Sequence, residues 1–435
     1  MRQKLPQLKK QPVAEIIQLN SFNFQNHNLY AESLRVSDLM HSYGSPLYIY
    51  SKSQIEFNWN LFEQSFESHP HLICYAVKAN SNIAVLNILA KLGSGFDIVS
   101  LGELERVITA GGDPRKCVFS GVAKNENSIK KALEYGIYCF NVESEDELAR
   151  IEFIASSMNM TAPISIRVNP NVDANTHPYI STGLTENKFG VGSDIALSMY
   201  KKASSSAHLK VCGLDYHIGS QITDVSPFLE ALDRALELIE KLKSENIFIN
   251  HLDIGGGVGV SYNQEKTIDI KEYLNSVIER VGSLKIVVEP GRSIVGDAGI
   301  FVTKVEYLKQ NDLKSFAIVD GAMNDLIRPS LYDSYHQAVL IDNNSRGIND
   351  EWDIVGPVCE SADFLAKNRN LTLEKGDYIA IMTAGAYGFV LSSNYNSRPR
   401  VAEVMVSGIK HSLVRKRETI ESLFENEILF EDETH

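Results

Sequence analysis

From about residue 52 to residue 290 the chain alternates short apolar runs with segments of helical periodicity, and this alternation constrains the fold more than any other feature. The runs 72–77, 96–99, 117–119, 138–142, 164–168, 211–217, 251–254 and 285–289 are apolar enough to be strands buried on both faces. Between them lie helical patterns such as Asn82–Leu92, Leu101–Ala110, Ile129–Tyr135, Glu145–Met158 and Pro227–Glu245. Eight strands, each linked by a helix, predict an α/β fold of the (β/α)8, TIM-like barrel type rather than an open doubly wound sheet. The fifth gap is longer and holds NVDANTHPYISTGLTENKFGV, too rich in turn formers for a helix. A polar loop over 171–190 on the catalytic face is a lid or binding-loop candidate.

After residue 300 the pattern changes to strands without intervening helices: Phe301–Leu308, Ser315–Val319, Ala338–Ile341, Ile354–Val358, Tyr378–Met382 and Arg400–Val406. This predicts a second, all-β barrel or sandwich domain. Two earlier pieces, Phe22–Leu29 and Pro46–Tyr50, are also strand-like and are expected to return to it. The domain reading is therefore a barrel over 52–300, with 1–51 and 301–435 forming a β-rich domain that completes the site. The ending RKRETIESLFENEILFEDETH reads as a short amphipathic helix with an acidic tail.

A net charge of −13 argues against nucleic acid or an anionic membrane as the main partner, since the chain has no general basic surface. It leaves room for a local basic pocket that binds a small anion. The five cysteines, at 74, 117, 139, 212 and 359, lack CxxC or zinc-like spacing, and four sit in apolar runs. That pattern suggests a reducing, cytoplasmic setting, with no disulfide framework and no metal. The N-terminus is basic without the apolar core of a signal peptide, and no apolar run approaches a membrane span.

Groups at the C-terminal ends of barrel strands converge on one face. Here those ends carry Lys78, Asp97, Ser120, Arg167, His217, Gly255-Gly256-Gly257 and Glu289-Pro-Gly-Arg292. A lysine at the inner end of a buried strand is costly unless neutral, paired or covalently used. Each residue also has an ordinary explanation: Asp97 caps a helix, Arg167 pairs with an acid, His217 is a satisfied core histidine. The glycine run suits either a tight turn or a close approach to a phosphate. Arg292 suits a phosphate or a carboxylate, while Glu289 could hold a pyridinium nitrogen. Their shared placement points to pyridoxal 5'-phosphate (PLP), an electron sink when its ring is protonated.

The segments YAVKAN, GFDIVSLGEL, DYHIGSQ, LDIGGG and VVEPGR, in this order, resemble the fold-type III PLP-dependent decarboxylases. Within them, RVNPNVDANTHPYISTGLTENKFGV, RPSLY and GPVCESADFLAK resemble the diaminopimelate decarboxylase family, and the likeness runs from about residue 25 to 420. The resemblance implies that Lys78 is linked to PLP as a Schiff base and that His217 stacks on the ring, supported by Asp97 and Arg167. It implies that Ser220, Gly255, Gly256, Gly257, Gly291 and Arg292 hold the phosphate, that Glu289 meets the pyridine nitrogen, and that Tyr387 reaches phosphate or substrate. Cys359 matches the family's proton donor. Glu360 beside it matches a substrate contact, as do Arg292, Arg328 and Tyr332. In the family Cys359 and Glu360 enter from the partner subunit, which implies a homodimer with shared sites.

The implied reaction is decarboxylation of meso-2,6-diaminoheptanedioate at its D-configured carbon. It yields L-lysine and carbon dioxide, the last step of lysine biosynthesis by the diaminopimelate route. Arg328 and Glu360 together suit a distal amino acid, one charge for each of its ionised groups. The alternatives are a related decarboxylase of ornithine, arginine or carboxynorspermidine, and a non-catalytic PLP carrier. RPSLY and CESADF weigh against the first. The intact pair of Lys78 and Cys359 weighs against the second, because a carrier needs no proton donor.

Overall fold

The structure, a computed structural model, describes residues 20–173 and 187–430. Eight parallel strands close into a barrel: His71–Ala76, Gly95–Ile98, Cys117–Phe119, Cys139–Val142, Ala162–Arg167, Leu209–Asp215, His251–Asp253 and Lys285–Val288. Closure comes from the last strand pairing with the first, Ile286 opposite His71 and Val288 opposite Ile73. Four of the eight strands are buried along their whole length and the others over most of it, which is why their sequences read as continuous apolar runs. The helices form a ring in which consecutive members touch, and Ile270–Val281 meets Lys52–Ser65 to complete it. Lys52–Ser65 precedes the first strand, so one helix of the ring comes from ahead of the barrel rather than from behind its last strand.

Capping chemistry fixes where several strands hand over to helices. The side chains of Asn82, Ser100, Asn125, Ser144 and Asp269 each accept a backbone N–H from the first turn of the following helix. Each such cap stabilises by about 1 kcal/mol. Gly93 and Gly136 end two helices in the left-handed region, at φ 92° and 67°, where a side chain would be strained.

The second domain is a sheet built around the long strand Gly299–Gln310. Leu47–Ser51 pairs with it antiparallel and with Ala402–Ser407 in parallel, so the chain before the barrel does return to this sheet. Ser315–Val319, Ile348–Val355, Phe364–Leu373, Tyr378–Ile381, Ala338–Leu340 and Lys410–Arg415 complete it. Its inner face shares a core of Phe22, Leu29, Leu47, Ile49, Ile300, Val302 and Val404 with the N-terminal elements.

Three expectations are corrected. Phe22–Leu29 is a hairpin, Phe22–Gln25 against Asn28–Ala31, because Asn26 and His27 take positive φ and turn the chain. The strand expected at Ile354–Val358 runs instead over Ile348–Val355 and ends at the Gly356 turn, where a Cβ would lie 2.6 Å from the Ala322 Cα. The ending forms no α-helix among the described residues. Arg415 closes a strand, Glu421–Leu423 is a single 3-10 turn, and Ile420, Phe424, Ile428 and Leu429 are exposed, so no apolar face is buried to hold a helix. The loop expected over 171–190 lies largely outside the described residues, as does the basic N-terminus. No helix of the described residues is long and apolar enough to cross a membrane.

Candidate active site

Lys78 lies in the 3-10 turn Val77–Ala79 at the end of the first barrel strand. Its Nζ donates to Asp97 Oδ2 at 2.7 Å, and Asp97, at the end of the second strand, is wholly buried. Burial pulls the Lys78 ammonium down, but Asp97, then Glu289 and Tyr387, outweigh it and hold its pKa above the ordinary lysine value. The other oxygen of Asp97 has no hydrogen-bond partner. The turn is stitched to the second domain, where Asn80 Nδ2 donates to Gly385 O at 3.1 Å and the Tyr387 N–H donates to Ala79 O at 2.8 Å. Tyr387 accepts a strained φ of 55° in that position.

Beneath Lys78 the barrel floor is crowded with acids. Oxygens of Asp215, Asp253 and Glu289 all lie within 4.8 Å of one another. Ser120 Oγ and Asn141 Nδ2 each approach Glu289 Oε1 at 3.4 Å, and the Gly255 N–H donates to Asp253 Oδ1 at 3.0 Å. Burial, followed by Asp253, Asp97 and Asp215, pushes the Glu289 carboxyl well above the carboxylate range. Burial likewise raises Asp253 to about 7, against the pull of the Gly255 N–H. Arg167 reaches Glu143 Oε1 at 2.9 Å and Asp215 Oδ2 at 4.0 Å. Among the described residues, the cations paired with Asp97, Glu143, Asp215, Asp253 and Glu289 are Lys78 and Arg167, and the floor favours a bound cation such as a protonated ring nitrogen.

One wall is shaped by glycine. A Cβ on Gly256 would sit 2.1 Å from Glu289 O, and on Gly257, at φ +106°, 2.3 Å from Gly219 O. A Cβ on Gly255 would meet His217 Nδ1 at 2.8 Å, and one on Gly291 would press on Ala76 and Ala79 at 3.0 Å. The Gly256 N–H donates to His217 Nδ1 at 3.2 Å. Burial, with Arg167 and Lys78 adding, holds that imidazole well below its usual pKa. It is therefore a flat neutral ring, suited to lie against another.

The roof carries two buried guanidiniums. Arg292, just past Gly291, donates from Nη1 to the Tyr262 hydroxyl at 2.7 Å and from Nη2 to Ser220 Oγ at 3.0 Å, and it lies 4.8 Å from the Tyr387 ring centre. Arg328 opens the helical turn Arg328–Tyr332 and donates to the same Tyr262 hydroxyl at 3.1 Å and to Ser334 Oγ at 3.2 Å. Neither arginine has a carboxylate partner among the described residues, and the Nε of each has no acceptor. Burial lowers Arg328 below the usual arginine value. Uncompensated buried cations of this kind mark an anion site.

Lys78, Asp97, Ser120, Arg167, His217, Ser220, the glycines, Glu289, Arg292, Arg328, Tyr332 and Tyr387 are all placed around the barrel mouth by these contacts or by adjacency to them. Cys359 and Glu360 are not. Both are exposed, with the Cys359 N–H on Asn396 Oδ1 at 3.2 Å and Glu360 Oε1 accepting from the Tyr395 hydroxyl at 2.5 Å. Sequence reasoning missed Tyr262, Asp215 and Asp253. The two aspartates end barrel strands, so the rule that selected Asp97 would have found them, whereas Tyr262 stands in a loop with no signal.

The match to known proteins decides the family. Residues 52–296 match the model described as pyridoxal-dependent decarboxylase, pyridoxal binding domain. The chain is 54% identical to diaminopimelate decarboxylase of Vibrio cholerae and 53% identical to that of Haemophilus influenzae. Each match covers 93% of this chain and 98% or 99% of the relative. The crystal structure of diaminopimelate decarboxylase from Helicobacter pylori complexed with L-lysine superposes with TM-score 0.87 at 44% identity, over 90% of this chain and 98% of that one. The chain belongs to the diaminopimelate decarboxylase family. It is a PLP-dependent carboxy-lyase on a TIM-like barrel with a β domain, and the pyridoxal-binding match spans that barrel. The residues present fit the cofactor: a half-buried lysine held by a buried, half-satisfied aspartate, a glycine cradle beside Arg292 and Ser220, and a neutral imidazole.

Proposed function

We propose that this chain decarboxylates meso-2,6-diaminoheptanedioate at its D-configured carbon, giving L-lysine and carbon dioxide. The observation that carries the reading is Arg328, which is buried beside the Lys78 site with no carboxylate among the described residues to neutralise it. A decarboxylase that makes simple diamines needs no cation at the distal end of its substrate; one that keeps a distal amino acid does.

PLP, when bound, supplies the electron sink for the pair released as the carboxylate leaves. Lys78 is the residue proposed to carry it, with Asp97 keeping the side chain aimed at the barrel mouth. His217 offers its neutral ring face, Glu289 the carboxyl for the ring nitrogen, and Ser220, the 255–257 glycines, Gly291 and Arg292 the phosphate cradle. Tyr387 supports Arg292 through its ring. Arg328 and Tyr332 orient the distal carboxylate, and charge pairing there excludes substrates that lack it. Cys359 Sγ–H delivers a proton to the carbon that has lost its carboxylate, and Glu360 holds the distal ammonium.

We further propose that these last two groups come from the partner subunit of a homodimer. Their exposure and their hydrogen bonds to Asn396 and Tyr395, rather than to the barrel, support that arrangement. The functional division would then be the barrel over 52–300 with 1–51 and 301–435 completing the site, in a cytoplasmic enzyme. Incubating the protein with PLP and meso-diaminopimelate, alongside lysine, ornithine and arginine, tests the reading by product analysis. L-Lysine and carbon dioxide should form from diaminopimelate alone; comparable turnover of any of the other three would refute it.

A further inference from the structure

The phenolic oxygen of Tyr262 is shared between Arg292 Nη1 at 2.7 Å and Arg328 Nη1 at 3.1 Å. A phenol has two acceptor lone pairs and one hydrogen to donate. Both lone pairs are taken by guanidiniums, so the hydrogen must point to a third atom. No acceptor for it exists among the described residues. The nearest ring, His336, meets Tyr262 edge-on with centres 5.0 Å apart, but it turns Nδ1 to Met382 O at 2.9 Å, and its Nε2 has no partner. Tyr262 is itself only 8% exposed, so bulk water does not answer the need. A buried donor without an acceptor is destabilising unless a ligand meets it.

From this geometry we infer that Tyr262 is a specificity-determining residue, its hydroxyl donating to the distal carboxylate of the substrate while holding Arg292 and Arg328 at a fixed separation. The inference rests on the proposed function and extends it to a residue outside the sequence motifs. The carboxylate is favoured over the cofactor phosphate because Ser220 and the glycine wall already serve the Arg292 side. Tyr262 instead bridges from there to Arg328, on the turn that carries Tyr332. Two guanidiniums and a phenol hydroxyl, with no carboxylate on either arginine among the described residues, make a pocket for a planar anion.

The test compares wild-type and Tyr262→Phe holoenzymes. Phenylalanine keeps the ring against His336 and Arg328 and removes only the hydroxyl. L-Lysine retains the distal amino-acid end, whereas 1,5-diaminopentane lacks its carboxylate, so their binding, followed by calorimetry on the holoenzyme, separates carboxylate recognition from general damage. Lysine binding should weaken about tenfold to a hundredfold, as for one lost hydrogen bond to a charged group. The KM for diaminopimelate should rise by a similar factor with kcat within a few-fold. Diamine binding should not change, and PLP affinity should fall far less than lysine binding, because Ser220 still holds Arg292. Lysine binding within twofold of wild type would overturn the inference, as would an equal loss for the diamine or a loss confined to PLP affinity. A wild-type holoenzyme that neither bound lysine nor used diaminopimelate would overturn the proposed function itself, and this inference with it.

Discussion

Lys124→Met should cost this protein more stability than its place in a connecting segment suggests. The Lys124 side chain is 1% exposed and spends all three ammonium hydrogens, on Gly121 O at 2.8 Å, Asn141 O at 2.7 Å and Glu147 Oε1 at 2.6 Å. Methionine matches the stem but leaves Glu147, 7% exposed, with its charge answered mainly by the Glu143 N–H on Oε2. Removing one partner of a buried pair costs roughly 3–5 kcal/mol, because the remaining charge has lost both water and counter-ion. At about 2–4 °C per kcal/mol for a domain of this size, a loss of ~4 kcal/mol lowers the unfolding midpoint by roughly 8–16 °C. Thermal unfolding at one fixed, saturating PLP concentration measures it, since cofactor binding shifts the midpoint by mass action. Adding Glu147→Leu removes the orphaned charge and should restore more than half of the loss. A single mutant within about 1 kcal/mol of wild type, or a double mutant that loses the sum of the two, would refute the reasoning.

Lys78→Ala should abolish turnover and remove the visible absorbance of bound PLP; a normal band with the cofactor on another lysine would sink the assignment. Arg328→Ala should lower kcat/KM for diaminopimelate strongly while PLP stays bound. Wild-type use of lysine as substrate should be poorer by ~10⁴-fold or more, since it leaves a buried cation unpaired; similar kcat/KM values for the two substrates would contradict this. Lys78→Ala and Cys359→Ala proteins should each be severely impaired, yet subunit exchange between them should restore roughly a quarter of all sites in a two-fold dimer. Proven exchange without recovery would return Cys359 to its own chain's site. Burial keeps His336 neutral in the fold down to about pH 3, whereas an exposed histidine titrates near 6.5. The unfolded chain alone takes up that proton between the two values, so stability falls as pH drops from about 6.5 to about 3. His336→Gln should flatten that limb of the urea-midpoint profile, and unchanged slopes would refute the cause.

Periodicity exposed the barrel because its strands are buried over most of their length on both faces. Cys117–Phe119 and Cys139–Val142 have no polar residue on a solvent side to blur the pattern. The second sheet was legible only in part. Phe364–Leu373, with Lys367, Asn368 and Arg369 inside it, is half solvated, and its apolar residues are too few to announce a strand. The ending misled for the opposite reason: its residues could form an amphipathic helix, but nothing in the described chain covers the apolar side. Strand ends delivered Lys78, Asp97, His217 and Glu289 because topology alone gathers them. Tyr262 reaches the site from a loop whose course depends on tertiary contacts, such as Gln221 bracing Val260 through two hydrogen bonds. Local sequence carries no trace of that.

The charges of the two sides of the site explain why the chain needs both domains. Among the described residues the barrel floor sets five acids against Lys78 and Arg167, a place for a protonated ring but a poor one for an anionic substrate, and the barrel's other site cation is Arg292 in the roof. Arg328 and Tyr387, both from the segment after the barrel, place positive charge and an aromatic support above that floor. The hydrogen bonds from the Tyr387 and Asn80 loops lock the two halves together within a few residues of Lys78. In the proposed function, a diacid held between them would have one carboxylate fixed by Arg328, leaving the other for Lys78. Discrimination between the two ends then follows from which carboxylate the guanidinium takes, and it would be lost if the β domain docked even slightly differently. The small distances at Gly299 and Gly385, where an added Cβ would meet backbone at 2.6 Å and 1.9 Å, show how little room that docking leaves.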